Sequence, residues 1–143
     1  MKKFVTLFIL AVITSFTFAS CELNDDNSPT YNFEFAVIDS VDVPDHFVLG
    51  ETKEITVYYK RPSTCHFENG FYYEKNLNTR TFALQMAVVN NTTCEPIEEE
   101  VVSEASFNFY VSNNGSYLFK FYNGEDANGQ NTFLEYEIPV TQQ

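Results

Sequence analysis

Five side chains in this sequence have the chemistry to act as nucleophiles, metal ligands or cross-links: Cys21, Cys65, Cys94, His46 and His66. Cys65 and His66 are adjacent, and a thiol beside an imidazole is a starting point for nucleophilic or zinc chemistry. Neighbouring residues in an extended chain point to opposite faces, so this pair would cooperate poorly. No second Cys–His cluster stands elsewhere to complete a four-ligand zinc site. Cys65 and Cys94 both lie in turn-like stretches after apolar alternating segments, and a disulfide between them is expected. It would close a loop of roughly 30 residues, which the chain-entropy model values at about 3–4 kcal/mol. Cys21 is then left over, and an odd cysteine needs a separate role.

Other catalytic patterns are missing. There is no Gly-x-Ser-x-Gly elbow, no His-Glu-x-x-His pair and no glycine-rich phosphate loop. The 20 acidic residues give close carboxylate pairs by chance, so they do not single out a glycosidase pair. The sequence therefore points away from an enzyme, and no cofactor is expected. One loop has a partial calcium pattern. Asp126, Asn128 and Glu135 fill the third, fifth and twelfth places and Gly129 the sixth, but the first place, which needs Asp, is Gly124. These three are weak metal candidates, set against a simple turning role for Asn and Gly. Tyr58, Tyr72, Tyr73, Tyr110 and Tyr122 fall partly on the non-core side of their segments. A tyrosine row there would stack on sugar rings or anchor a protein partner, unless it is cover for a second core face.

The segments that must position these residues show a period of two. Tyr31, Phe33, Phe35 and Val37 fall on one face, with Asn32 and Glu34 between them, which reads as a first strand. Val41 and Val43 suggest a second extended piece, and Ile55, Val57 and Tyr59 a third before Arg61-Pro62. A shorter strand is expected around Gly70. Thr81–Val89 is the least polar stretch and reads as a central strand with Phe82, Leu84, Met86 and Val88 on one face. Residues 97–105 are ambiguous between a helix start after Pro96 and a bulged strand, with the strand preferred. Phe107, Phe109 and Val111 alternate next. Ser112–Ser116 reads as a hairpin loop into Tyr117, Phe119 and Phe121, and Leu134, Tyr136, Ile138 and Val140 close the chain, with Pro139 suggesting an edge.

About seven strands and no convincing helix imply an all-β, antiparallel β-sandwich over residues 31–143. The pattern resembles the immunoglobulin-like class, although the core tryptophan and the usual cysteine placement of antibody domains are absent. Ahead of it, Lys2 and Lys3 precede an uncharged run from Phe4 to Phe18, then Ala19, Ser20 and Cys21. The run has too few apolar residues for a spanning helix. It has the layout of a secretory signal and resembles a small bacterial lipoprotein of Bacteroidetes type, with Phe18 where an aliphatic residue is commoner. That resemblance implies a signal peptide over 1–20, lipidation at Cys21, a lipidated acidic linker over 21–30 (Glu22, Asp25, Asp26) and attachment to the outer membrane or cell surface.

From Cys21 onward the chain carries six basic and 20 acidic residues, a formal charge of −14. Such a chain is repelled by phosphate backbones, so nucleic acid is not an expected partner, and membrane attachment must come from the lipid. The function these features imply is a non-catalytic binding or adhesion module with a protein or glycan ligand. The alternative is a structural lipoprotein packed in a larger envelope complex.

Overall fold

In a computed structural model of the protein, which describes residues 29–90, 93–98 and 101–142, the alternation from Tyr31 onward becomes nine strands. They are β1 (Tyr31–Ala36), β2 (Ile38–Asp42), β3 (Phe47–Val48), β4 (Thr52–Lys60), β5 (His66–Asn76), β6 (Thr79–Val89), β7 (Val102–Tyr110), β8 (Ser116–Glu125) and β9 (Asn131–Thr141). No helix occurs among the described residues. After Pro96, strand begins at Val102, and just ahead of it Val101 N–H donates to the Glu98 carbonyl.

The strands form two sheets. The larger has six strands and runs β1-β6-β8-β9-β3, with β5 on the remaining edge of β6. The smaller is β2-β4-β7. The count exceeds the seven expected, and the pairing is not wholly antiparallel: β6 runs parallel to β8, and β3 parallel to β9. Two-residue β3 is too short to leave an alternation in the sequence. The architecture is sandwich-like, because the core lies between the sheets. Ile55, Val57 and Tyr59 of the smaller sheet meet Phe82, Leu84, Met86, Tyr117, Phe119, Phe121 and Ile138 of the larger, with Phe47 between them.

β6 is the spine. Its N-terminal part pairs with β8 and its C-terminal part with β1, while β5 runs along its other edge. Even-numbered residues of β6 face the core, as expected. The aromatic face of β1 is turned outward, however. Tyr31, Phe33 and Phe35 pair with Val89, Ala87 and Gln85, the odd-numbered residues of β6, and so lie on the outer face. They remain 50%, 60% and 42% exposed, and Val37 is 46% exposed at the crossover into β2. Alternation reveals a period but not which face is covered. The three-stranded sheet covers only the even face of β6.

Ser112–Ser116 is also not a hairpin. It carries the chain from the smaller sheet (β7) to the larger (β8). Tyr117 fixes this corner from a fully buried position, its hydroxyl oxygen accepting the backbone N–H groups of Ser112 and Asn113 at 3.2 and 2.8 Å. The β5–β6 turn docks against the same corner. Asn78 Nδ2 donates to the carbonyls of Asn114 and Ser116 at 3.1 and 2.9 Å, and Asn113 Nδ2 donates to Asn78 Oδ1 at 3.1 Å. Arg80 is 1% exposed, stacks 4.8 Å from the Tyr117 ring centroid and donates to the Leu77 and Thr79 carbonyls at 2.6 and 2.9 Å. These bonds hold Leu77 in its left-handed conformation, φ 53°. Tyr117→Phe keeps the ring and leaves two backbone amides without their acceptor. It is expected to cost about 1–3 kcal/mol in urea unfolding; a loss under about 0.3 kcal/mol would show that the corner does not depend on this hydroxyl.

Candidate functional site

At the C-terminal end of β6, two loops form a short ladder. Thr64 N–H donates to the Glu95 carbonyl, Glu95 N–H to Thr64 Oγ1 and Ile97 N–H to the Pro62 carbonyl, at 2.9, 3.1 and 3.2 Å. Between them Cys65 and Cys94 are disulfide-bonded, with Cα atoms 5.4 Å apart, inside the usual window. The pairing read from the sequence is present. Cys21 lies outside the described residues.

His66 has partners that its sequence neighbour did not suggest. Ser63 Oγ lies 2.8 Å from His66 Nδ1, and His66 Nε2 lies 2.9 Å from Glu34 Oε1. A serine, an imidazole and a carboxylate in line resemble a hydrolytic triad, with the serine on Nδ1. An acyl-transfer site also needs free donors for an oxyanion. The amides next to Ser63 are taken: Thr64 N–H by Glu95, Cys65 N–H by Ser63 Oγ and His66 N–H by the Ser63 carbonyl. The chain of bonds instead ties β1 to β5 across β6. His46, the other histidine, belongs to no group of three or more metal-binding side chains; none was found among the described residues.

The calcium-like loop is not assembled for a metal. Asp126 Oδ1 accepts the backbone N–H groups of Asn128 and Gln130 at 2.8 and 2.9 Å, which caps the β8–β9 turn. Those donors, Gln130 first and then Asn128, hold its carboxyl below the ordinary value. Glu135 sits opposite Lys120 and pairs with it at 2.8 Å. It is four residues beyond Asn131, or about 13 Å along the strand. The weak candidates Asp126, Asn128 and Glu135 are thus separated by the hairpin register.

The five tyrosines do not form one row. Tyr58 and Tyr110 are at opposite ends of the smaller sheet, opposite Glu104 and Thr52. Tyr73 pairs with Phe82 and lies on the core side, in an apolar cleft of about 370 Å³ that it shares with Phe71, Phe82 and Phe107 at the open edge between β5 and β7. Tyr72 and Tyr122 lie on the outer face of the larger sheet. There they meet the aromatic residues of β1.

That outer face is the candidate site. Phe67 and Phe33 both pair with Ala87, on opposite edges of β6; Tyr72 pairs with Ala83 and Tyr122 with Phe133. Aromatic rings therefore flank a β6 floor of Thr81, Ala83, Gln85 and Ala87. Within this face is a hollow of about 350 Å³ lined by Phe35, Tyr72, Tyr122 and Phe133, together with Thr81 and Ala83 of β6 and with Glu74 and Asn131. Phe35 is 5.8 Å from both Tyr72 and Tyr122, centroid to centroid, and Tyr122 is 6.4 Å from Phe133. Burial, and then the Glu125 carboxylate, raise the Tyr122 phenol above its ordinary value, so the ring stays neutral. Sequence reasoning named Tyr72 and Tyr122 but missed Phe35 and Phe133, because only the register brings four separate strands together here.

No protein-family model, no curated protein sequence and no solved structure matches the chain.

Reducing the Cys65–Cys94 bond is expected to lower stability by about 3 kcal/mol while leaving a cooperative fold, because β7, β8 and β9 lie outside the covalent ring. An unchanged thermal midpoint in reductant would show that the ladder alone holds the loops. Asp126 gives a pH signature. Its folded value is depressed, so its contribution is present above the unfolded value near 3.9 and is lost as pH falls through the folded one. The gap in melting midpoint between wild type and Asp126→Ala should be open at pH 6 and shrink as the pH falls below about 3.9; a gap constant across that range would contradict the cap.

Proposed function

We propose that the protein is an exported, lipid-anchored binding module of the cell envelope. In this reading Cys21 carries the lipid, the outer membrane or cell surface is the location, and the larger sheet presents its aromatic outer face to a ligand. The observation that carries the reading is that face. Contiguous exposed aromatic surface is uncommon on a solvated domain without a binding role. The charge balance, six basic against 20 acidic residues from Cys21 onward, keeps such a surface soluble and argues against anionic partners.

We read the sandwich as immunoglobulin-like in the broad sense. Support comes from the β4–β7 pair, the β8–β9 hairpin, the parallel β3–β9 contact and the tyrosine corner at Tyr117. The parallel β6–β8 pairing departs from the antibody pattern. We read the protein as non-catalytic, because the amides beside Ser63 are already bonded.

A structural role in a larger envelope complex is the second reading. It is favoured by the apolar cleft beside β7, which forms an edge of the smaller sheet and so could accept a partner strand. Capture from solubilised envelope distinguishes the two. A single stoichiometric protein partner lost on mutation of the cleft supports assembly, whereas ligand binding lost on mutation of Phe33 and Phe35 supports the binding module. For the anchor, Cys21→Ala is expected to move the protein from the detergent phase to the aqueous phase, or to leave it unprocessed. A processed mutant that still partitions with membranes would remove the lipid from the account.

A further inference from the structure

We propose that the hollow between Phe35, Tyr72, Tyr122 and Phe133 binds the quaternary ammonium group of a small, soluble, choline-type molecule. The proposal rests on reading the aromatic face as a binding surface and specifies its ligand class.

The first argument is the shape of the walls. Adjacent rings are inclined at 52°, 58° and 75° rather than stacked. Flat sugar faces prefer a coplanar platform, and these rings offer none. Inclined rings around a hollow suit a rounded cation, which is attracted to ring faces within about 6 Å. Thr81 and Ala83, small side chains of the central strand, leave the floor unfilled.

The second argument is charge. Glu74 lines the hollow and accepts a hydrogen bond from the Tyr72 hydroxyl at 3.3 Å. One wall already holds a cation: Lys120 Nζ lies 5.0 Å from the Phe133 centroid. Lys120 is itself neutralised by Glu135 at 2.8 Å, so it does not oppose a second cation. A quaternary ammonium has no N–H to leave unpaired and gives up weakly held water, which suits walls made of ring faces. A molecule carrying a carboxylate or phosphate beside the ammonium would meet Glu74, so a neutral hydroxylated arm fits better, with Asn131 and Thr81 available to it.

The test is titration of the purified full chain with choline chloride, tetramethylammonium chloride and the uncharged isostere 3,3-dimethylbutan-1-ol, followed by calorimetry and the Ala83 methyl resonance. Both cations should shift Ala83 and bind at least about tenfold more tightly than the isostere. Tyr72→Ala should weaken choline by about tenfold. Glu74→Gln, an exposed change that preserves the fold, should weaken it several-fold and reduce its salt dependence. Equal binding of choline and the isostere overturns the cation proposal yet leaves the face a binding surface. If none of these probes shifts Ala83, the cation site is refuted, and the broader reading stands or falls separately on the envelope capture with Phe33 and Phe35 mutated.

Discussion

The fold depends on hydrogen bonding along both edges of β6. A strand paired on both sides has only its two faces left to vary, and here the faces diverge. Even-numbered residues supply the core. Phe82 alone lies within 4.5–5.3 Å of Phe107, Phe119, Phe121 and Tyr73, measured between ring centroids. Odd-numbered residues include the small Ala83 and Ala87, and the rings of β1, β5 and β8 rise around them. Because β6 pairs in parallel with β8, the chain must pass through the smaller sheet between the two strands. The connection that completes the spine therefore also joins the layers.

Much of this was legible in the alternation. The inner faces of β4, β6, β7, β8 and β9 follow directly from Ile55-Val57-Tyr59, Phe82-Leu84-Met86, Phe107-Phe109, Tyr117-Phe119-Phe121 and Leu134-Tyr136-Ile138. The strand β1 was legible but its direction was not, because Tyr31-Phe33-Phe35 has the same pattern as a core face. Only its register against β6, fixed by Ala36 and the crossover at Val37, turns it outward. β5 was underestimated because Glu68, Asn69 and a bulge at Gly70, φ 86°, interrupt its period. The Ser112–Ser116 segment has hairpin composition, but Asn and Gly serve any sharp turn, and composition does not say which sheet comes next.

The sites were less legible for a related reason. Cys65–Cys94 could be inferred by counting. The Ser63–His66–Glu34 chain could not, since Glu34 is 32 positions from His66 and is brought close only by the β1–β6–β5 pairing. Arg80 shows the same limit. Nothing in its neighbourhood in the sequence marks a buried cation, and its stacking on Tyr117 depends on a corner formed 37 residues later. Burying it is costly; the two carbonyls and the ring faces offset part of that cost, while the buried Nε has no hydrogen-bond partner among the described residues.

The two ends of β6 explain why the exposed aromatic face can act as a site and not only as an adhesive patch. At one end Arg80, Asn78 and Tyr117 lock the β5–β6 turn to the β7–β8 corner. At the other, Val89 N–H donates to the Cys65 carbonyl at 3.0 Å beside the disulfide. The β6 floor lies between these two restraints on a strand that is paired along both edges. The Phe35 and Tyr72 rings stand on strands registered directly to it. Side chains held this way lose little further freedom when a ligand enters, and lost freedom is the main cost that weak, area-poor sites fail to meet. Acidity complements this rigidity. Like-charged domains repel one another, so two such faces are discouraged from closing on each other, and the rings stay available to a ligand of opposite charge.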